Sequence, residues 1–208
     1  MIDPATWLPL FPLNAVLFPQ GVLPLKVFEA RYTDMVRDCM KNDAPFGVVL
    51  IKAGAEVGAV AEPETVGTLA YIKEWDMENL GVLLLRTEGG ARFRIVETRV
   101  LDDKRLEARV DMLPDDDLPP VSDAHLSCAR ALKIVMDEIN ARGRAEQGSD
   151  FDSPFAAPAR LDDAGWVANR WCEILPIPLK ARQKLLELDD AGSRLSVIHQ
   201  YLQQHKII

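Results

Sequence analysis

Apolar residues crowd the first quarter of the chain. "LPLFPLNAVLFPQGVLPLKVFEARY" (residues 8–32) is almost wholly hydrophobic, yet Pro9, Pro12, Pro19 and Pro24 interrupt it. Proline lacks an N–H, so such a stretch predicts short, kinked strands at a sheet margin rather than a helix or a long central strand. "FPQG" (18–21) predicts a turn, with φ preset by Pro19 and Gly21 free to take a positive φ. "NAVLF" and "VLPLKVF" flank it as extended runs. From Glu29 the period changes: Tyr32, Met35, Val36, Cys39 and Met40 share one helical face and Asp34, Arg37, Asp38 and Lys41 the other. A helix near 29–42 follows.

Strand patterns then dominate. "PFGVVLIK" (45–52) reads as buried. "VGTLAYIKEW", "NLGVLLLR", "ARFRIVETRV" and "KRLEARVDML" follow, with "DMEN", "TEGG" and "LDD" as turns between them. That is the rhythm of a meander or small barrel. "LPDDDLPPVSD" (113–123) is the best boundary, being acidic and carrying three prolines. Beyond it the pattern is helical. One helix runs from about 123 to 142, N-capped by Ser122, with an apolar stripe of Leu126, Ala129, Leu132, Val135, Met136 and Ile139. A polar loop at 142–160 precedes a helix that starts near Asp162 and carries Trp166, Val167, Arg170, Trp171 and Ile174. A third restarts after Pro176, with Pro178 in its first turn. The last holds Leu195, Ile198 and Leu202. The expected class is α+β: a β-barrel part over 1–118 and an α-helical part over 119–208.

Composition narrows the function classes. The 208 residues carry a net charge of −8, which weighs against nucleic acid and anionic membranes. No apolar run reaches membrane-spanning length, and "MIDPATW" lacks the basic start of a secretory signal. Cys39, Cys128 and Cys172 are odd in number and scattered, which fits a reducing compartment. The expectation is a cytoplasmic protein with no membrane association.

Catalytic signatures are absent. There is no Walker loop, no G-x-S-x-G elbow and no zinc-binding H-E-x-x-H. "TEGGAR" (87–92) lies between strands, where a hairpin turn is the expectation. His125 and Cys128 are three apart but lack a second ligand pair. His199 and His205 do not share a helical face, so no metal site is expected. Asp115, Asp116 and Asp117 lack the calcium-loop pattern and read as linker. The bases from Arg86 to Arg109 interleave with Glu88, Glu97, Asp102, Asp103 and Glu107, as cross-strand ion pairs would. Trp166 and Trp171 read as packing residues. Glu29 and Arg31 read as a charged clasp between barrel and helix. Nothing in the sequence places Ser193 or Ser196 beside Lys184. No catalytic, cofactor or metal residue is assigned, and no binding residue.

Four segments in register resemble the Lon protease N-terminal substrate-binding domain family, most of all its stand-alone members. They are residues 8–32, "VGTLAYI" (66–72), "LLLRTEGGARFRI" (83–95) and "LPIPLKARQKLLELDDAGSRLSVIHQYL" (175–202). Ala30, where the family often has proline, Gln20 between Pro19 and Gly21, and the long loop at 142–160 depart from its pattern. The resemblance implies a PUA-like β pseudo-barrel followed by an α-helical bundle. It implies a non-catalytic module that binds unfolded or apolar protein segments, or a specific protein partner, without a cofactor. Strand addition, or a groove between barrel and bundle, would serve. The family's ATPase and Ser-Lys peptidase lie in later domains, and neither motif occurs in these residues. RNA binding, by analogy with other PUA-like barrels, is the alternative; a peptidase is the remoter one.

Overall fold

The computed structural model describes residues 6–79, 81–114 and 120–208. The expected boundary at 118/119 and Asp115–Asp117 fall outside the described residues. Two compact units emerge. One comprises residues 1–115 with 178–187, the other 116–177 with 188–208.

In the first unit, β1 (Leu8–Leu13), β2 (Val22–Val27), β3 (Phe46–Ala53), β4 (Glu62–Asn79), β5 (Val82–Val100) and β6 (Leu106–Met112) form one sheet in the order β2-β5-β4-β3-β1-β6. β5 also pairs with β6, so five strands close a ring and β2 lies outside it. Helix α1 (Ala30–Asn42) buries Tyr32, Met35, Val36 and Cys39, the face its spacing predicts. They join Phe11, Phe46, Leu83 and Leu85 in one core cluster; Leu10, Val49, Phe93 and Val110 belong to a second.

Several local expectations change. β1 is not marginal, because it pairs parallel to β3 over 10–13 and antiparallel to β6 over 8–10. This staggering leaves each proline one unpaired side for its missing N–H. Pro24 does lie on an edge, since β2 pairs with β5 alone. "NAVLF" is not a strand. In the 18–21 turn, Gly21 N–H donates to Phe18 O at 2.9 Å, but the left-handed residue is Gln20 (φ 59°). "DMEN" continues β4 to Asn79, and "TEGG" lies inside β5. The diglycine is therefore no turn. A Cβ on Gly89 would stand 2.2 Å from Phe18 O, and one on Gly90 would stand 2.5 Å from the Tyr71 ring. Glycine is required there for close approach, not for reversal.

Helix α4 (Leu179–Glu187) belongs with these strands. Gln183 Nε2 donates to Val66 O at 3.0 Å, and the buried Arg92 donates from Nη1 to Leu186 O at 2.8 Å. The latter satisfies a carbonyl in the last helical turn, where the helix lacks its own donor. Arg92 thus faces the interior, not the solvated side its alternation suggests. A fragment ending at residue 118 would lose both contacts.

The second unit holds α2 (Leu126–Gln147), α3 (Ala164–Ile174) and α5 (Ala191–Gln204). α2 follows a 3-10 turn at Asp123–His125 and runs past the predicted end at 142. Gly143 does not break it: the residue is bare because the Phe151 ring occupies the space of a Cβ. Leu126, expected in the stripe, is exposed, whereas Cys128, Leu132 and Met136 are buried. Ser122 makes no capping bond to the backbone. Asp163, one residue beyond the expected start, caps α3 by accepting from Gly165 and Trp166 N–H. Trp166 and Trp171 are buried, and Trp171 Nε1 donates to Cys128 O at 3.1 Å. The interior also holds Arg194, which donates to Asn169 Oδ1 at 2.9 Å and to Leu188 O at 2.7 Å.

The diglycine geometry makes a prediction. Gly89→Ala should destabilise the chain by about 1–3 kcal/mol, as overpacking against backbone does. Urea unfolding followed by tryptophan fluorescence measures it; a stability equal to wild type would mean that the Phe18 turn can yield.

Candidate functional site

The residues weighed from sequence are mostly held in structural pairs. Arg31 Nη2 lies 3.0 Å from Glu29 Oε2, its Nη1 donates to Lys104 O at 3.2 Å, and its guanidinium sits 4.6 Å from the Tyr32 ring centre. Lys104 is in the turn between β5 and β6, so the expected clasp between helix and barrel is present. Arg99 pairs with Glu107 at 2.6 Å and Arg109 with Glu97 at 3.5 Å. Both guanidiniums also cover the Trp7 ring, at 4.2 and 5.0 Å.

Lys184, the base weighed for Ser193 and Ser196, is engaged by a carboxylate. Lys184 Nζ lies 2.6 Å from Glu187 Oε2, and that hydrogen bond raises its pKa, the wrong direction for a general base. Ser196 Oγ donates to Gly192 O at 2.9 Å. Ser193 N–H is held by the Asp190 carboxylate.

Histidine placement was only partly legible. His125 and Cys128 do not converge, for Cys128 is fully buried. His125 instead meets His199 edge-on at 5.1 Å, a pairing across 74 positions that no local spacing announces. Its Nδ1 is 3.0 Å from Ser122 Oγ, and its Nε2 is 3.5 Å from Ser196 Oγ. His205 packs on Tyr201. Among the described residues, no cluster of three or more His, Cys, Asp or Glu could hold a metal.

One cleft and a group of exposed side chains are largely apolar. A cleft of about 250 Å³ lies between α1 and the β1/β6 pair, lined by Trp7, Pro9, Met35, Cys39, Pro45 and Arg105. Burial first, and Asp38 second, push the Cys39 thiol up to about 11, so it stays protonated and unreactive. Arg105 is engaged by Asp103 at 2.6 Å and Asp38 at 3.5 Å. Phe28, Trp75 and Met77 are 57%, 57% and 47% exposed. The sequence reading did not single them out. For two of them the available signal was Trp75 at the end of the predicted strand and Met77 inside the "DMEN" pattern that follows it. Such surfaces suit noncovalent contact with other apolar groups.

Comparison with known proteins gives a consistent result. The family model of the ATP-dependent protease La (LON) substrate-binding domain matches residues 7–204. Lon protease 2 of Myxococcus xanthus is 28% identical over 208 residues, covering 97% of this chain and 24% of the relative. Cereblon of Xenopus tropicalis is 30% identical over 122 residues, covering 56% of this chain and 26% of the relative. The crystal structure of the Lon N-terminal domain protein from Xanthomonas campestris superposes with a TM-score of 0.73 at 34% identity, covering 94% of this chain and 98% of that one. The N-terminal domain of Mycobacterium avium complex Lon protease shares the fold, with a TM-score of 0.65 at 15% identity and coverages of 96% and 100%. The chain spans about a quarter of the length of the Lon proteases it matches.

Two predictions follow from the paired residues. Arg31→Met should cost about 1.5–3 kcal/mol in urea unfolding, the range for hydrogen bonds to a charged group, and Arg31→Lys should recover only part. An unchanged midpoint would show that the clasp is not a stabilising one. The second concerns pH. Burial, then His199, lowers the His125 pKa below its ordinary 6.5. Between the two values the unfolded chain binds more protons than the folded one. This contribution to stability is therefore full above about pH 6.5 and is lost as pH falls through the folded value. The melting temperature should drop between pH 7.5 and 5.5, and His125→Gln should flatten that slope.

Proposed function

Because the chain belongs to the family of the Lon protease substrate-binding domain, we propose that it binds exposed apolar segments of other polypeptides, or one protein partner that presents such a segment, and does so in the cytoplasm. The family match over nearly the whole chain carries this reading. The exposed Phe28, Trp75 and Met77 support it, because open aromatic and thioether groups supply contact area that adapts to varied sequences. The module acts by binding, without chemistry of its own. Its charge supports protein over RNA: at −8 it would have to overcome repulsion to approach a phosphate backbone.

A direct test uses the full chain and a permanently unfolded protein, reduced and carboxymethylated lactalbumin, beside the same protein in its native form. Fluorescence anisotropy should show saturable binding of the unfolded form alone, little affected by salt because the contact is apolar. No binding, with no partner retained from extract, would overturn the proposal. Salt-steep binding to RNA would favour the nucleic-acid alternative. Cleavage of the bound chain that Ser196→Ala abolishes would make the protein a peptidase.

A further inference from the structure

The sheet is closed around its ring, and among the described residues the extension beyond the ring leaves two edges without a partner strand, the outer side of β2 and β4 past Ala70; the second is the longer. β3 pairs with β4 only as far as Phe46↔Ala70. β4 continues to Asn79, paired with β5 on its other side. Over residues 71–79, therefore, β4 has an edge that no strand among the described residues covers.

The backbone there points outward in a definable way. Trp75, Asp76 and Met77 pair without interruption with Leu85, Leu84 and Leu83. In an antiparallel pair, alternate residues turn their N–H and C=O toward the neighbour and away from it. Met77 N–H donates to Asp76 Oδ1 at 2.7 Å, so it does not belong to the β5 ladder. Trp75 and Met77, two residues apart, thus present their backbone groups to the open edge.

The side chains sort by face. Paired residues share a face, and Trp75 and Met77 share theirs with the buried Leu85 and Leu83. Both extend the core surface of the sheet into solvent. Glu74 and Asp76, opposite Arg86 and Leu84, lie on the other face. Tyr71, opposite Glu88 on that same outer face, lies across the register shift between Ile72 and Glu74. Edge strands are normally protected by charges and bulges, and here both are present. A second copy of this edge paired about Trp75 would bring Glu74 against Asp76, which disfavours self-pairing in that register.

We infer that residues 71–77 of β4 form a strand-addition site for an extended polypeptide segment that alternates apolar and basic residues. This deepens the reading under Proposed function and rests on it. The segment's apolar side chains would lie against Trp75 and Met77, and its basic ones would reach Glu74 and Asp76. Its carbonyl would take over the Met77 N–H, releasing the Asp76 carboxylate for a cation. Main-chain bonds supply affinity in this mode and alternate side chains supply selectivity.

The test uses the full chain and a short synthetic peptide alternating isoleucine and lysine. Companion peptides replace lysine with glutamate, or carry N-methyl groups on alternate backbone nitrogens. The lysine peptide should bind, and N-methylation should abolish binding. Trp75→Ala with Met77→Ala should weaken it roughly tenfold or more, the effect of losing a contact anchor. Asp76→Lys should reverse the preference between the lysine and glutamate peptides. Amide exchange at Trp75 and Met77 should slow when peptide is added, a readout on the unaltered chain. Equal binding of the N-methylated peptide, or full binding by the variants while unfolded lactalbumin is still captured, would overturn this site and leave the proposed function standing. Failure to bind both lactalbumin and peptide would overturn the two together.

Discussion

Strand β5 has to serve three neighbours along its length, and the fold depends on how it does so. Its first half pairs with β2, its second with β6, and β4 runs beside it from Val82 to Arg94. The change of partner falls at Gly89–Gly90. There the turn after β1 comes against the strand: Gln20 N–H donates to Gly89 O at 2.7 Å, and Gly89 N–H donates to Gly21 O at 2.8 Å. Only a residue without a side chain lets Phe18 O sit where a Cβ would be. Two buried hydroxyls fasten the same region, Thr68 Oγ1 to Leu17 O at 2.6 Å and Thr87 Oγ1 to Leu23 O at 2.7 Å. The ring closes with β6 on one side of this junction, and a three-stranded extension projects on the other.

Much of the fold was legible because the signals are local. The change of period at Glu29 marks α1, and its buried face is the one that spacing gives. The shift from alternation to helical stripes separates β-rich from helical sequence. Two of the misreadings, the "TEGG" turn and the early end of α2, share one physical cause. Gly89, Gly90 and Gly143 look like punctuation, but each is bare because another part of the chain occupies its Cβ position. A local code cannot distinguish a glycine that turns the chain from one that admits a neighbour.

Charge was misjudged for a related reason. Arg92 falls in the segment read as cross-strand ion pairs, yet it is buried with its guanidinium on a backbone carbonyl, and Arg194, which drew no reading, is buried in the same way. An arginine's fork can satisfy carbonyls that regular structure leaves unpaired, and removing such a partner inside the protein costs more than the bond's net contribution. Where those carbonyls lie depends on tertiary packing, so the role cannot be read from the residue type. Glu29 and Arg31 were easier because both partners sit within one helical start.

The proposed binding edge was the least legible part, and the physics of strand addition explains why. A catalytic site requires particular side chains, which leave a motif. A sheet edge offers N–H and C=O groups that every residue possesses. What makes residues 71–77 available is that β3 stops pairing at Ala70 while β4 continues. That difference in pairing length belongs to the assembled sheet. Selectivity then falls to Trp75, Met77, Glu74 and Asp76, whose alternation suits any strand and names no ligand until the empty edge beside it is known. Under the proposed function, backbone bonds would hold the guest while only the alternating pattern is read.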